Sequence, residues 1–161
     1  MKKVISALGL VFASVSSAFA TTYPVTIENC GYKETFTKAP ERVVALGQNT
    51  VEILLLLGLE DKVVASAFWP TKVLPSLAEK NSKIKNLTVE IPTLESILAQ
   101  NPDFVPAQIP LLLGPESKVA KREDLSTVGV NSYMSPGMCA TKKGVGDMYG
   151  SRQKLWDIDR K

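Results

Sequence analysis

The order of signals between residues 42 and 59 restricts the fold more than anything else in the sequence. Residues 42–46 (RVVAL) are too short a run for a helix and apolar enough for a strand buried on both faces. A polar break, Gly47-Gln48-Asn49, follows, and residues 51–57 are then apolar at every position but Glu52. Asn49 with Glu52 three residues on matches a capping box, so Asn49 is the expected N-cap of a helix buried on most of its sides. Gly58 suits the left-handed stop, and Leu59 is placed for the apolar contact of a Schellman ending. A strand, a tight turn and a helix in that order are the parts of a parallel sheet.

The same grammar recurs downstream. Residues 62–67 read as a strand ending at Phe68-Trp69-Pro70, and 73–79 as a short helical segment. Thr93 caps a helix with Leu94, Ile97 and Leu98 on one face; it closes at Asn101-Pro102, because a residue before proline resists the helical region. A strand over 104–108, a charged helix over 115–127 stopped by Gly129, and a strand over 130–134 follow. Ahead of all these, residues 23–28 and 34–37 flank a turn at 29–32 and read as a hairpin. The expected architecture is therefore α/β: a single Rossmann-like lobe with a mostly parallel sheet flanked by helices, preceded by an N-terminal β-hairpin. Right-handed crossovers put every strand's C-terminal end on one edge, where ligands bind in open α/β sheets. The segments delivered there are 47–49, 68–69, 108–111 and 135–138.

Residues 1–20 stand apart from this pattern. Lys2 and Lys3 precede an apolar stretch, and Ala18-Phe19-Ala20 forms an A-x-A cleavage site, the pattern of a signal peptide for export. The apolar stretch falls short of the roughly 20 residues of a spanning helix, and no Cys follows the site to carry a lipid. Cleavage leaves 17 basic residues against 16 acidic ones and lowers the formal charge from +3 to +1. With its basic residues clustered only near the end (Lys142, Lys143, Arg152, Lys154, Arg160, Lys161), the chain is not expected to bind nucleic acid. Residues 140–161 lose the periodicity and read as an irregular tail.

Two cysteines, Cys30 and Cys139, remain after cleavage, and in an oxidising compartment an even count favours one disulfide over two free thiols. A thiol nucleophile would lack its usual base, because the chain has no His. The same absence weakens a hydrolase triad or a direct zinc site, and neither G-x-S-x-G nor a P-loop is present.

Several segments, in order, carry a resemblance: P-E-R-V-V-A-L (40–46), Q-N-T-V-E-I-L (48–54), L-G-L-E-D-K-V-V (57–64), P-T-L-E-S-I-L-A-Q-N-P-D (92–103), R-E-D-L-S-T-V-G-V (122–130) and Y-M-S-P-G-M-C (133–139). Together they resemble the periplasmic substrate-binding proteins of ABC importers for iron-siderophores and cobalamin, over residues 23–139. The resemblance implies two lobes joined by a long helix, with a metal chelate between them and no cofactor of the protein's own. Here residues 21–139 would supply the N-terminal lobe; the tail does not resemble the connecting helix, and the second lobe is expected to be missing. A truncated form with impaired binding is expected, or else a stand-alone, nonfunctional fragment that binds no chelate.

Within that frame Gln48 and Asn49, at a strand end and a helix start, and the aromatic pair Phe68 and Trp69 are the expected ligand contacts. Trp69 is expected to be the exposed ring, since strand neighbours point to opposite faces. Glu95, in the first turn of its helix, complements the helix dipole; the resemblance adds docking to an arginine on the permease in the inner membrane. Mass spectrometry of the exported protein without reductant is expected to show Cys30 crosslinked to Cys139, and two alkylatable thiols would rule the crosslink out.

Overall fold

The computed structural model describes residues 21–69 and 71–139. The expected signal at 1–20 and the tail at 140–161 lie outside them. Strands β1 (Val25–Asn29) and β2 (Tyr32–Phe36) form an antiparallel hairpin. Behind it, β3 (Val43–Leu46), β4 (Val63–Ala67), β5 (Asn86–Thr88), β6 (Phe104–Ala107) and β7 (Asn131–Met134) build a five-stranded sheet in the order β5-β4-β3-β6-β7. Every pairing in that sheet is parallel.

The full burial of β3 follows from its place at the centre. Val43 and Ala45 face one core with Val51 and Leu55 of helix α1 (Gln48–Leu56), together with Val63, Leu77 and Trp69. Val44 and Leu46 face the other core with Ile97 of helix α3 (Leu94–Leu98) and Leu125 of helix α4 (Arg122–Thr127). Alternate residues of one strand thus serve two layers, as the unbroken VVAL run requires. The remaining helix, α2 (Ala78–Asn81), follows a 3-10 turn at Pro75–Leu77.

Helix ends are where the glycine and asparagine punctuation acts. Gly58 adopts φ 71°, and the α1 carbonyls are closed by Gly58 N–H to Leu55 O (3.1 Å) and Leu59 N–H to Leu54 O (3.0 Å), the Schellman ending. At the end of α3, Asn101 takes φ 49°, and Arg42 reaches across to donate to Gln100 O (2.6 Å) and Asn101 O (2.8 Å). Asp103 reciprocates by accepting the N–H groups of Glu41 (3.0 Å) and Arg42 (2.9 Å). Arginine and aspartate in these two motifs therefore bolt the start of β3 to the start of β6.

Four sequence expectations need correction. The helix over 115–127 begins only at Arg122, because Ser117 Oγ accepts the N–H groups of Val119 (2.9 Å) and Ala120 (3.1 Å), a local turn that competes with the helix. Leu112 and Leu113 lie buried in the loop before it. The segment over 73–79 is a 3-10 turn started by Pro75 and continued as α2. Strand β5 was not foreseen, being three residues with no room for periodicity. Helix α1 is not buried on most sides: Ile53, Leu56 and Leu57 are exposed.

The hairpin is held to the β7 edge by a buried polar cluster. Arg122, 5% exposed, donates to Ser132 Oγ (3.0 Å), Ser132 O (2.9 Å), Asn29 O (2.6 Å) and Asn29 Oδ1 (3.0 Å). Glu34 accepts from Ser132 Oγ (2.7 Å) and Asn131 Nδ2 (2.9 Å) and lies 3.7 Å from the guanidinium. Asn29 mimics a strand partner, accepting Met134 N–H (2.8 Å) and donating to Met134 O (2.9 Å). Beside it the Cys30–Cys139 disulfide is formed, with Cα atoms 4.9 Å apart. Its 109-residue span ties the hairpin to the last described residue and supplies up to about 4.7 kcal/mol by the chain-entropy model. Arg122→Met is expected to lower unfolding free energy in urea by about 3–5 kcal/mol, since it strands Glu34 as a buried charge. Adding Glu34→Gln should recover part of that loss, and an unchanged urea midpoint in the single variant would refute this account.

Candidate functional site

The strand order reverses between β3 and β6: the chain builds outward through β4 and β5, then returns to the other side of β3. The crevice outside the C-terminal ends at such a reversal is the general ligand position of open α/β sheets. Here it is closed by a direct contact. Gly47 donates its N–H to Ala67 O (2.9 Å), Gln108 donates its N–H to Leu46 O (2.9 Å), and Gln108 Oε1 accepts the N–H of Asn49 (3.2 Å). Gly47 sits at φ 99°, and a Cβ there would lie 2.5 Å from Gln108 Cβ and 2.6 Å from its Oε1.

Asn49 is consequently not the N-cap. Gly47 holds that position, no side chain of its own caps the helix, and Asn49 lies inside the first turn with its side chain exposed. The acceptor a capping box would supply locally comes instead from Gln108, 59 residues away. Glu52, the expected partner in that box, accepts from Gln48 Nε2 (3.0 Å) and from Leu74 N–H (3.0 Å). Gln48 also donates to Lys72 O (2.9 Å) and accepts from the Thr71 hydroxyl. Its amide holds the 71–74 loop against α1.

The aromatic pair divides as strand alternation requires, but with the opposite assignment. Trp69 is 7% exposed and packs in the core beneath α1, whereas half-buried Phe68 packs against the other core. The larger ring gains more from the apolar layer beside Leu77 and Ile84. Phe68 adopts φ 65°, uncommon for a bulky residue, and its N–H is fixed to Thr88 O (3.0 Å). Backbone strain of this kind concentrates at ligand-contacting positions.

Glu95 lies exposed in the first turn of α3, which opens at the same edge because it follows β5. Thr93 is the N-cap as expected, accepting Ser96 N–H (3.2 Å). The Glu95 backbone N–H and then the Thr93 hydroxyl hold its carboxyl below the usual carboxylate range. Between β5 and α3, Val89 and Ile91 are also exposed, an apolar addition to this edge that sequence reading passed over. Farther along it, the loops after β6 and β7 border a cavity of about 200 Å³ lined by Tyr32, Pro110, Leu113, Met134, Met138 and the disulfide. Arg122 lies under that cavity, with its guanidinium carbon 4.6 Å from the Tyr32 ring centre. Burial pushes the guanidinium below its ordinary value, and Glu34 opposes that shift.

Two glycine substitutions separate contact from conformation. Gly58→Ala meets no atom within 4 Å and should cost about 1–2 kcal/mol of left-handed strain. Gly47→Ala adds the collision with Gln108 and should cost clearly more in urea unfolding; equal losses would count against the Gln108 contact.

No protein-family model matches the sequence, and no curated protein is similar enough to match. Solved structures do match. A periplasmic binding protein from Veillonella parvula is 28% identical over 73% of this chain and 40% of its own, with TM-score 0.61. An ABC-type Fe3+-hydroxamate transport system from Saccharomonospora viridis is 33% identical over 74% of this chain and 42% of its own, with TM-score 0.58. The heme-binding protein HmuT shares the fold at 19% identity and TM-score 0.50. The chain spans about two fifths of the length of these relatives. The described residues have the fold of one lobe of these periplasmic binding proteins, and the chain is related to the Veillonella parvula protein and the Fe3+-hydroxamate transport system.

Proposed function

We propose that the chain is the N-terminal lobe of a solute-binding component of an ABC importer, taking an iron-siderophore or cobalamin-type chelate in the periplasm and presenting it to the permease. The observation that carries this reading is the strained Phe68 at a strand end on the ligand edge of a lobe 33% identical to an Fe3+-hydroxamate transport system. Phe68 and Asn49 would meet the chelate, with residues 108–111 and 135–138 forming more of the rim. Gln48 and Trp69 would support that rim from beneath. A chelated metal brings its ligands with it, so the protein need supply only shape, apolar area and hydrogen bonds. The export signal read at residues 1–20 would deliver the chain to the periplasm, and the Cys30–Cys139 disulfide supports a periplasmic site of action.

Exposed Glu95, with its carboxyl held in the charged form, is proposed to meet a permease arginine at this edge. Copurification of the exported protein with the importer should then be lost in Glu95→Lys, and copurification that survives the charge reversal would dismiss the contact.

A second reading, an α/β module that binds no chelate, draws on the inward turn of Gln48 and Trp69, which leaves few ligand groups at the edge. Titration of the exported protein with ferric hydroxamate and catecholate siderophores, hemin and cobalamin decides between them. The expected result is saturable but weak binding to one class, because a one-sided surface buries much less of a ligand than a closed cleft, and its loss in Phe68→Ala. No saturable binding to any member, or binding indifferent to Phe68→Ala, favours the second reading.

A further inference from the structure

We propose that the outward face of α1 is a self-association surface on which a second copy of this chain packs, helix against helix. Ile53, Leu56 and Leu57 occur at helical spacing on the side of α1 away from the sheet and are 53%, 66% and 66% exposed; Leu59 follows beside them. The inward side is filled by Val51 and Leu55. An outward helix face in a monomer ordinarily carries charge, yet no charged residue occurs between Ile53 and Leu59. The helix is as apolar away from the core as toward it.

Area identifies the occupant. Exposed fractions of this size on four leucine or isoleucine side chains make an apolar patch on the order of 400 Å², where exposed patches mark interaction sites. A standard interface takes roughly 800 Å² from each partner, a little over half of it apolar. The patch is therefore close to the apolar share of one side of a complete interface. A two-fold pairing of the same face satisfies both copies at once, and antiparallel helices oppose their dipoles favourably. The polar rim is at hand in Asn49, Asp61 and Lys62, all exposed at the two ends of the helix. Because α1 runs back from the ligand edge, Leu56, Leu57 and Leu59 lie toward the opposite edge of the sheet, and pairing leaves Phe68 and Glu95 uncovered.

Sedimentation velocity of the exported protein from submicromolar to millimolar concentration tests this. The expected result is a reversible monomer–dimer equilibrium, weakened at least about tenfold by Leu56→Lys and likewise by Ile53→Lys, with the circular dichroism of both variants unchanged. Two exposed positions are used so that a folding failure in one leaves the other to decide. A wild-type monomer throughout, whether the face stays in water or something else covers it, overturns the proposal. A dimer that both lysine variants leave intact overturns it as well.

Discussion

One guanidinium holds together three parts of the chain that have no local reason to meet. Arg122 begins α4, yet its donors end on Asn29 of the hairpin and Ser132 of β7, with Glu34 as the opposing charge. Buried charge is costly unless every hydrogen-bonding group is met, and here the partners come from β1, β2 and β7 together. The hairpin is therefore fixed in position as well as attached. Its attachment covers what would otherwise be an open sheet edge along β7, with Asn29 standing in for a neighbouring strand. The disulfide at the hairpin turn adds a covalent tie at the same corner, and the cavity under the loops after β6 and β7 takes its walls from that corner.

A second tie works at the centre of the sheet. The reversal of strand order opens a crevice by topology, and the side chain of Gln108 enters it against Gly47. The start of α1 is thereby capped across the sheet, and Gln48 and Glu52 are released to hold the 71–74 loop. Rigid positioning of this kind is what a ligand-facing edge needs, since the groups that meet a ligand are only as well placed as those behind them. Two members of the edge, exposed Asn49 and half-buried Phe68, each stand next to a residue engaged in such support, Gln48 and Trp69.

Much of this fold could be read from periodicity and punctuation. The VVAL strand, the Schellman end at Gly58, the Thr93 cap, the hairpin and the alternation that makes a parallel sheet are local consequences of residue type. Asn49 misled because a capping box is a local inference, and a distant glutamine supplied the acceptor. Trp69 misled because alternation says that Phe68 and Trp69 part ways without saying which core is deeper. Residues 115–121 misled because Ser117 ties its own turn before a helix can start.

What the amino-acid sequence determined by itself was the order and kind of most of the elements, and hence the edge on which a ligand could lie. Backbone preference and apolar spacing act within a few residues, so they are legible without coordinates. Only the tertiary structure decided which side chains at that edge remain free, which are consumed in support, and which apolar face of α1 is left uncovered. Those outcomes depend on contacts between residues some 20 to 105 positions apart, and spacing within a single element carries no record of them.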